Sequence, residues 1–250
     1  MKSNLLSEIQ QILEREDRMK VTLPIPHYLF VQRYGREITG DMQEIAALFG
    51  QKEWFSFDTN RQQKDGKLLS YFKMELDRHA GLGREYTGSI LIELSGEEDE
   101  KELEELFHYI DSHKERLYCI YTMKVSEEVK TVRKHLEQYG FVRVVQGEKY
   151  DAYEQIEIFQ DTLESYQFQL NEEAEHYVTE FFRKREWEET DAVKKRIENI
   201  AKELVYGNLI KEETEKSIIT KEEVEQVLIS LQGEPAKKRQ IGFVIGGTEL

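Results

Sequence analysis

Cysteine, proline and long apolar runs are all scarce in this sequence, and each shortage excludes a class of protein. The single cysteine, Cys119, can form neither an intrachain disulfide nor a thiolate metal cluster, which is typical of a reducing compartment. With 3 prolines and 15 glycines, the chain is neither collagen-like nor proline-rich. No apolar run reaches the roughly 20 residues of a membrane-spanning helix, and the first residues lack the apolar core of a signal peptide. We therefore expect a cytoplasmic protein.

Basic residues are also scarce relative to acidic ones. The chain has 35 Lys and Arg against 50 Asp and Glu, a formal net charge of −15. Nucleic-acid binding depends on basic side chains that neutralise phosphates, and the densest basic stretch is only Lys237-Lys238-Arg239. We therefore expect neither a nucleic acid nor an anionic membrane as partner. An acidic surface is more typical of solubility or of docking to a basic protein patch.

Apolar and aromatic residues are frequent enough for a folded core, at 39% and 11% of the chain. Through residue 150, short apolar runs alternate with segments of helical periodicity, which predicts an α/β fold with a parallel sheet. The run after Gly88 is apolar at nearly every position, as expected of a central strand that is buried on both faces. The predicted strands are His27–Val31, Trp54–Phe57, Thr87–Leu94, Leu117–Thr122 and Gly140–Val145.

Beyond roughly residue 160 the strand signals give way to helical periodicity. Asn171 and Asp191 are placed to start helices, and Thr220 with Glu223 forms a capping-box pattern. This change predicts a small helical domain after the α/β domain, with Ile241–Ile245 as a candidate terminal strand. The predicted division is an N-terminal helix and linker over 1–24, an α/β core over 25–160, a helical lid domain over 161–235 and a tail over 236–250.

The order of these segments resembles that of AAA+ ATPases. Ser89–Leu94, the acidic helix that follows and Leu117–Thr122 look like the Walker B strand, its helix and the sensor-1 strand. The chain is most similar to the group that contains red-type rubisco activase and stage V sporulation protein K. Thr220–Leu231 matches the last lid helix of that group, and Lys238–Phe243 resembles its Ile-Gly-Phe ending. The resemblance implies a P-loop NTPase-like parallel sheet with flanking helices, followed by a small helical lid domain.

The phosphate-binding loop is the first place where the sequence departs from that family. A P-loop needs the pattern G-x-x-x-x-G-K-[ST], so that backbone N–H groups wrap the phosphates, the lysine meets their charge and the hydroxyl meets Mg²⁺. Here Gln32 and Glu37 stand at the two glycine positions and Ile38 at the lysine position. Only Gly35 and the hydroxyl of Thr39 remain from a loop of this kind.

Glu37 would place a carboxylate against the phosphates of a bound nucleotide. At a separation of about 4 Å and an effective dielectric near 20, such a like-charge contact costs about 4 kcal/mol. Arg33 and Arg36 could offset part of this repulsion, although neither stands at the lysine position. The loop therefore predicts that ATP does not bind in the usual pose.

The other motif positions depart from the family as well. The Asp-Glu pair that ends the Walker B strand holds the metal and polarises the attacking water, whereas this chain has Glu93-Leu94, and Leu94 cannot act as a base. Thr122 stands at the sensor-1 position, and Arg143 lies near the position of the arginine finger. Val193 falls where the sensor-2 arginine is expected. Two catalytic motifs are thus lost while the surrounding pattern of strands and helices persists.

Each of these positions also has an ordinary structural interpretation. Thr39 can be a hydroxyl at the start of a helix, Arg143 a surface arginine and Glu93 a hydrogen-bonded carboxylate. The acidic run Glu97–Glu105 is expected to be a solvated helix face, with docking to a basic partner as the less favoured interpretation. The six histidines show no spacing typical of metal ligands, so we expect no metal site.

The sequence thus predicts a catalytically degenerate AAA+-like protein that works through protein–protein contacts and needs no cofactor. Its expected partner is either an active AAA+ ATPase or further copies of this chain. The alternative is a divergent ATPase that binds ATP and Mg²⁺ through Thr39, Glu93 and an unconventional arginine such as Arg36. A third hypothesis, a DNA-associated module resembling inactive clamp-loader subunits, is disfavoured by the net charge of −15.

Overall fold

The computed structural model describes residues 3–21, 25–62, 68–210 and 217–232. The chain divides into two compact units. The first comprises residues 1–150 and the short segment 186–194, and the second comprises residues 151–185 and 195–250. The second unit is therefore interrupted along the chain by a segment that belongs to the first.

The first unit is built on a parallel sheet of five strands. Their order across the sheet is β2-β3-β4-β1-β5, and each neighbouring pair is parallel. The two long apolar runs predicted from the sequence form β3 and β4, which lie side by side within the sheet and are buried along almost their whole length. The predicted parallel α/β fold is confirmed. The strands are β1 (His27–Gln32), β2 (Trp54–Asp58), β3 (Gly88–Leu94), β4 (Leu117–Lys124) and β5 (Val142–Gln146).

Helices pack on both faces of this sheet, because successive side chains of the strands point to opposite faces. One core cluster joins alternate strand residues to helices α3, α4 and α5, and the other joins the intervening strand residues to α1 and α2. Fully buried rings such as Phe72 and Phe107 each contribute about 1.5–3 kcal/mol to folding. The helices are α1 (Asn4–Met19), α2 (Met42–Leu48), α3 (Leu68–Ala80), α4 (Glu100–Asp111) and α5 (Val129–Leu136).

The second unit is mainly helical, as the sequence predicted for this part of the chain. Asn171 caps α7 by accepting a hydrogen bond from the N–H of Ala174 at 2.8 Å, and the N–H of Thr220 donates to the Glu223 carboxylate at 2.7 Å. Two short parallel strands, absent from the prediction, pair the residues before α7 with those before α9. The elements are α6 (Ala152–Ser165), β6 (Gln169–Leu170), α7 (Glu172–Lys184), α8 (Val193–Leu209), β7 (Ile218–Ile219) and α9 (Lys221–Gln232).

Two further sequence predictions concern the start of α8 and the last residues of the chain. The helix predicted to start at Asp191 begins at Val193, and the Asp191 carboxylate accepts the N–H of Glu188 at 2.9 Å. The candidate terminal strand Ile241–Ile245 and the segment Lys238–Phe243 lie outside the described residues.

Candidate functional site

The loop that follows β1 occupies the place of the phosphate-binding loop. It runs from Arg33 to Ile38 and leads through a 3-10 turn, Thr39–Asp41, into α2. Tyr34 and Gly35 both have left-handed backbone, with φ of +54° and +70°, which costs little for glycine and roughly 1–2 kcal/mol for tyrosine. Ile38, at the lysine position, is 1% exposed and belongs to the core cluster under α1 and α2. The side chain at the position compared with the P-loop lysine is therefore an apolar core residue.

Residues 186–194, hereafter the strap, pack directly onto this loop. The N–H of Tyr34 donates to the carbonyl oxygen of Glu189 at 2.7 Å, and the N–H of Val193 donates to the carbonyl oxygen of Tyr34 at 3.1 Å. A Cβ added to Gly35 would lie 2.8 Å from the Cα of Ala192, so only glycine fits without a shift of the backbone. The N–H and the carbonyl oxygen of Tyr34 are thus bonded to the chain's own strap.

The two arginines of the loop also have partners within the first unit. Arg33 Nη2 lies 2.8 Å from the Glu189 carboxylate, with the two side chains 29% and 45% exposed. Arg36 donates from Nε to the carbonyl oxygen of Glu148 at 2.7 Å, and its guanidinium carbon lies 4.1 Å from the centre of the Tyr150 ring. The side chains of Glu37 and Thr39, in contrast, are exposed.

Two of the predicted site residues are brought together between β1 and β4. Gln32, at the first glycine position, donates from Nε2 to the Thr122 hydroxyl at 3.1 Å. Thr122, at the sensor-1 position, is only 1% exposed. Because β1 and β4 are adjacent parallel strands, their carboxyl ends meet at the same edge of the sheet, and a polar pair here satisfies itself rather than facing a ligand.

Glu93, which the sequence comparison placed at the Walker B position, also has hydrogen-bond partners within the protein. The Glu93 carboxylate accepts a hydrogen bond from the Ser56 hydroxyl on the neighbouring strand β2. Its carbonyl oxygen accepts from the Thr59 hydroxyl at 2.9 Å. Leu94 is buried in the core, where it contributes packing and no acid–base chemistry. Glu93 therefore acts as a link between the ends of β2 and β3.

Glu98 is a site residue that sequence reasoning missed. Its carboxylate accepts the N–H groups of Ser95 and Gly96, just after β3, and the Thr59 hydroxyl. Successive N–H groups in such a turn form a concave anion-binding nest, and Gly96 has the left-handed backbone that this shape requires, with φ of +87°. The signal was present in the sequence as Ser-Gly at a strand end with an acidic residue close behind it.

The side chains of Arg143 and Val193 have structural surroundings: Arg143 is in an ion pair and Val193 is in the core. Arg143, on the edge strand β5, makes a two-pronged ion pair with Glu8 of α1, with N–O distances of 2.5 and 3.2 Å. The hydrogen bond and charge of Glu8 raise the pKa of the Arg143 guanidinium. Val193 is buried at the start of α8. An arginine finger at Arg143 would first have to release Glu8.

The cysteine thiol and the possible metal ligands among the described residues are further candidates for a reactive centre. Burial raises the pKa of the Cys119 thiol well above its ordinary value, which keeps it protonated and inert. In residues 3–21, 25–62, 68–210 and 217–232, no group of three His, Cys, Asp or Glu side chains could hold a metal ion. No helix within those same ranges is both long and apolar enough to cross a membrane.

Comparison with known proteins supports the fold. No protein-family model and no curated protein matches the chain. Among solved structures it is similar to RuvB of Thermotoga maritima, a Holliday junction branch migration motor, with a TM-score of 0.59 and 13% identity. That alignment covers 91% of this chain and 68% of RuvB. Two substituted forms of the same protein align with TM-scores of 0.57 and 0.53, each at 12% identity.

At this identity the likeness to RuvB concerns the fold alone. The chain has a P-loop NTPase-like parallel sheet with flanking helices, followed by a helical part, as the sequence predicted.

Proposed function

We propose that this chain is a nucleotide-refractory AAA+-like module that acts through contacts with other proteins. The observation that carries the proposal is the closure of the loop after β1 by the strap. Tyr34 is hydrogen-bonded to the strap through both its N–H and its carbonyl oxygen, and a Cβ added to Gly35 would clash with Ala192. Where the sequence departs from the P-loop pattern, the backbone groups of Tyr34 thus bond to the strap and not to a ligand.

The fold implies Mg²⁺ and ATP, and the residues present do not fit them. A triphosphate needs free backbone N–H groups and a lysine at the loop, whereas the N–H of Tyr34 is bonded to Glu189 and Ile38 is buried in the core. Hydrolysis further needs a group that polarises water at the end of β3, where this chain has Leu94. We therefore derive no hydrolytic step for it.

An AAA+-like fold that does not hydrolyse ATP can still bind other proteins. Exposed carboxylates lie at Glu97, just before α4, and at Glu100, Glu104 and Glu105 in its first turns, and the whole chain has a net charge of −15. Such a surface suits a basic patch on a partner protein. AAA+ proteins commonly assemble side by side, so we propose an active AAA+ ATPase, or further copies of this chain, as the partner, in the cytoplasm.

Within the AAA+ proteins, we propose that the chain is related to the group of red-type rubisco activase and stage V sporulation protein K. The similarity to RuvB, a motor that acts on Holliday junctions, raises DNA as another ligand. The excess of 50 acidic over 35 basic residues counts against it. The divergent ATPase is disfavoured because Arg36 is engaged with Glu148 and Tyr150.

Calorimetry with Mg²⁺–ATP tests the proposal directly. The purified chain should give no saturable heat at millimolar nucleotide, and light scattering should show the same mass with and without ATP. Micromolar binding together with hydrolysis that is lost in Glu93→Gln would contradict the proposal and favour the divergent ATPase. An intact AAA+ ATPase measured in parallel serves as the positive control.

A further inference from the structure

We propose that Glu189 acts as an internal anion that holds the strap in the loop after β1, so that a phosphate-bearing ligand reaches Arg33 only by displacing it. The strap is then an autoinhibitory segment. This inference rests on the proposed function, because it gives the physical reason why the chain is refractory to nucleotide. It identifies Glu189 as the residue that determines this property.

The first step of the argument is that the strap fits the loop as a ligand would. It supplies an acceptor to the N–H of Tyr34, at 2.7 Å, and a donor to the carbonyl oxygen of the same residue, at 3.1 Å. Ala192 fills the space above Gly35 to within 2.8 Å of where a side chain would begin. Any occupant of this loop therefore competes with these contacts.

The second step concerns charge. The Glu189 carboxylate lies 2.8 Å from Arg33 Nη2, which is where an anion would pair with this arginine of the loop. Arg33 Nε is buried and makes no hydrogen bond with any described residue. Glu189 thus satisfies the charge of Arg33 but not all of its donors, and an anion with more oxygens could bond the guanidinium more completely.

The third step is that the strap presents Glu189 from an ordered turn. The N–H of Asp191 donates to the carbonyl oxygen of Glu188, and the Asp191 carboxylate accepts the N–H of Glu188, both at 2.9 Å. Trp187 is buried immediately before the turn. Glu189 itself is 45% exposed. The turn therefore stays formed when the carboxylate is removed, which makes Glu189 a clean target for substitution.

Glu98, just after the end of β3, is a second carboxylate of the chain that occupies a possible anion-binding position. At this position the carboxylate accepts the backbone N–H groups of Ser95 and Gly96, which are shaped to receive an anion, whereas the Glu189 carboxylate pairs with the guanidinium of Arg33. Two positions at the carboxyl edge of the sheet are thus filled by internal carboxylates. Two internal carboxylates at this edge are what we expect if side chains of the protein take the place of phosphate groups.

Pyrophosphate binding to Glu189→Gln tests the inference, with Glu188→Gln as the matched control. Both variants lose one negative charge from the same exposed turn, but only Glu189 pairs with Arg33. We expect E189Q to bind pyrophosphate about tenfold more tightly than the wild type or E188Q. The double variant R33A/E189Q should lose that gain. Equal gains in E188Q and E189Q would reduce the effect to net charge, and no gain in folded E189Q would overturn the inference.

Amide hydrogen exchange gives a second readout that does not depend on a ligand. In E189Q the amides of Tyr34 and Val193 should exchange several-fold faster than in E188Q, because the ion pair no longer holds the strap. Arg33→Gln, which breaks the same pair from the other side, should accelerate exchange without gaining pyrophosphate binding. Unchanged exchange in both variants would overturn the inference. Mg²⁺–ATP binding by the wild type would instead refute the proposed function, so the two failures are distinguishable.

Discussion

Replacing Gly35 with alanine tests whether the strap truly occupies the loop after β1. Gly35 has φ of +70°, and an added Cβ would lie 2.8 Å from the Cα of Ala192, a backbone atom that cannot rotate away. The left-handed backbone costs an L-residue roughly 1–2 kcal/mol, and overpacking of this kind costs about 1–3 kcal/mol. Gly35→Ala should therefore lower the free energy of unfolding by about 2–5 kcal/mol.

Gly50→Ala is the matched control, because Gly50 also has φ of +70° but has no atom within 4 Å of its added Cβ. Only the backbone cost applies there, roughly 1–2 kcal/mol. Both tryptophans, Trp54 and Trp187, belong to the first unit, so their fluorescence during urea unfolding reports on that unit. Equal losses of stability in the two variants would refute the contact between Gly35 and Ala192.

Three further predictions concern single contacts of the first unit. Thr122→Val leaves the part-buried amide of Gln32 without its acceptor and should cost about 0.5–1.5 kcal/mol in urea unfolding, with Thr122→Ser near wild type; equal values for both would contradict it. A double-mutant cycle on Arg143 and Glu8 should give a coupling of about 1 kcal/mol or less, because Arg143 is half exposed; a much larger coupling would contradict this assignment. Burial lowers the pKa of His27 below its ordinary value of 6.5, so the folded state binds fewer protons than the unfolded state. Its contribution to stability should be complete above pH 6.5 and fall as the pH drops through the lowered pKa; a similar acid-side slope in His27→Gln would contradict it.

The sheet could be predicted because its strands carry strong local signals. A strand that is buried on both faces must be apolar at successive positions, and Gly88–Leu94 and Leu117–Lys124 show this directly. The cap at Asn171 is also local, since its side chain bonds an N–H only three residues away. The short strands β6 and β7 were missed because two residues carry no periodicity.

The closure of the candidate site could not be predicted, because it depends on contacts between distant parts of the chain. Tyr34 meets Glu189 and Val193 only after the chain has passed through α6 and α7, and nothing near Tyr34 in the sequence indicates that return. The positions compared with the Walker motifs were visible in the sequence, but their hydrogen-bond partners were not. Arg143, interpreted from its place near the arginine finger, pairs with Glu8 from the opposite end of the first unit's sequence.

Titration of the ¹⁵N-labelled chain with Mg²⁺–ATP, followed at the amide of Tyr34, tests the central claim most directly. That N–H is bonded to the carbonyl oxygen of Glu189 at 2.7 Å, so a nucleotide in the loop must break or reorient this bond. The closed loop predicts that the Tyr34 resonance stays unshifted at millimolar nucleotide. A saturable shift of Tyr34 at micromolar nucleotide would show that the loop opens to phosphate and would contradict the account.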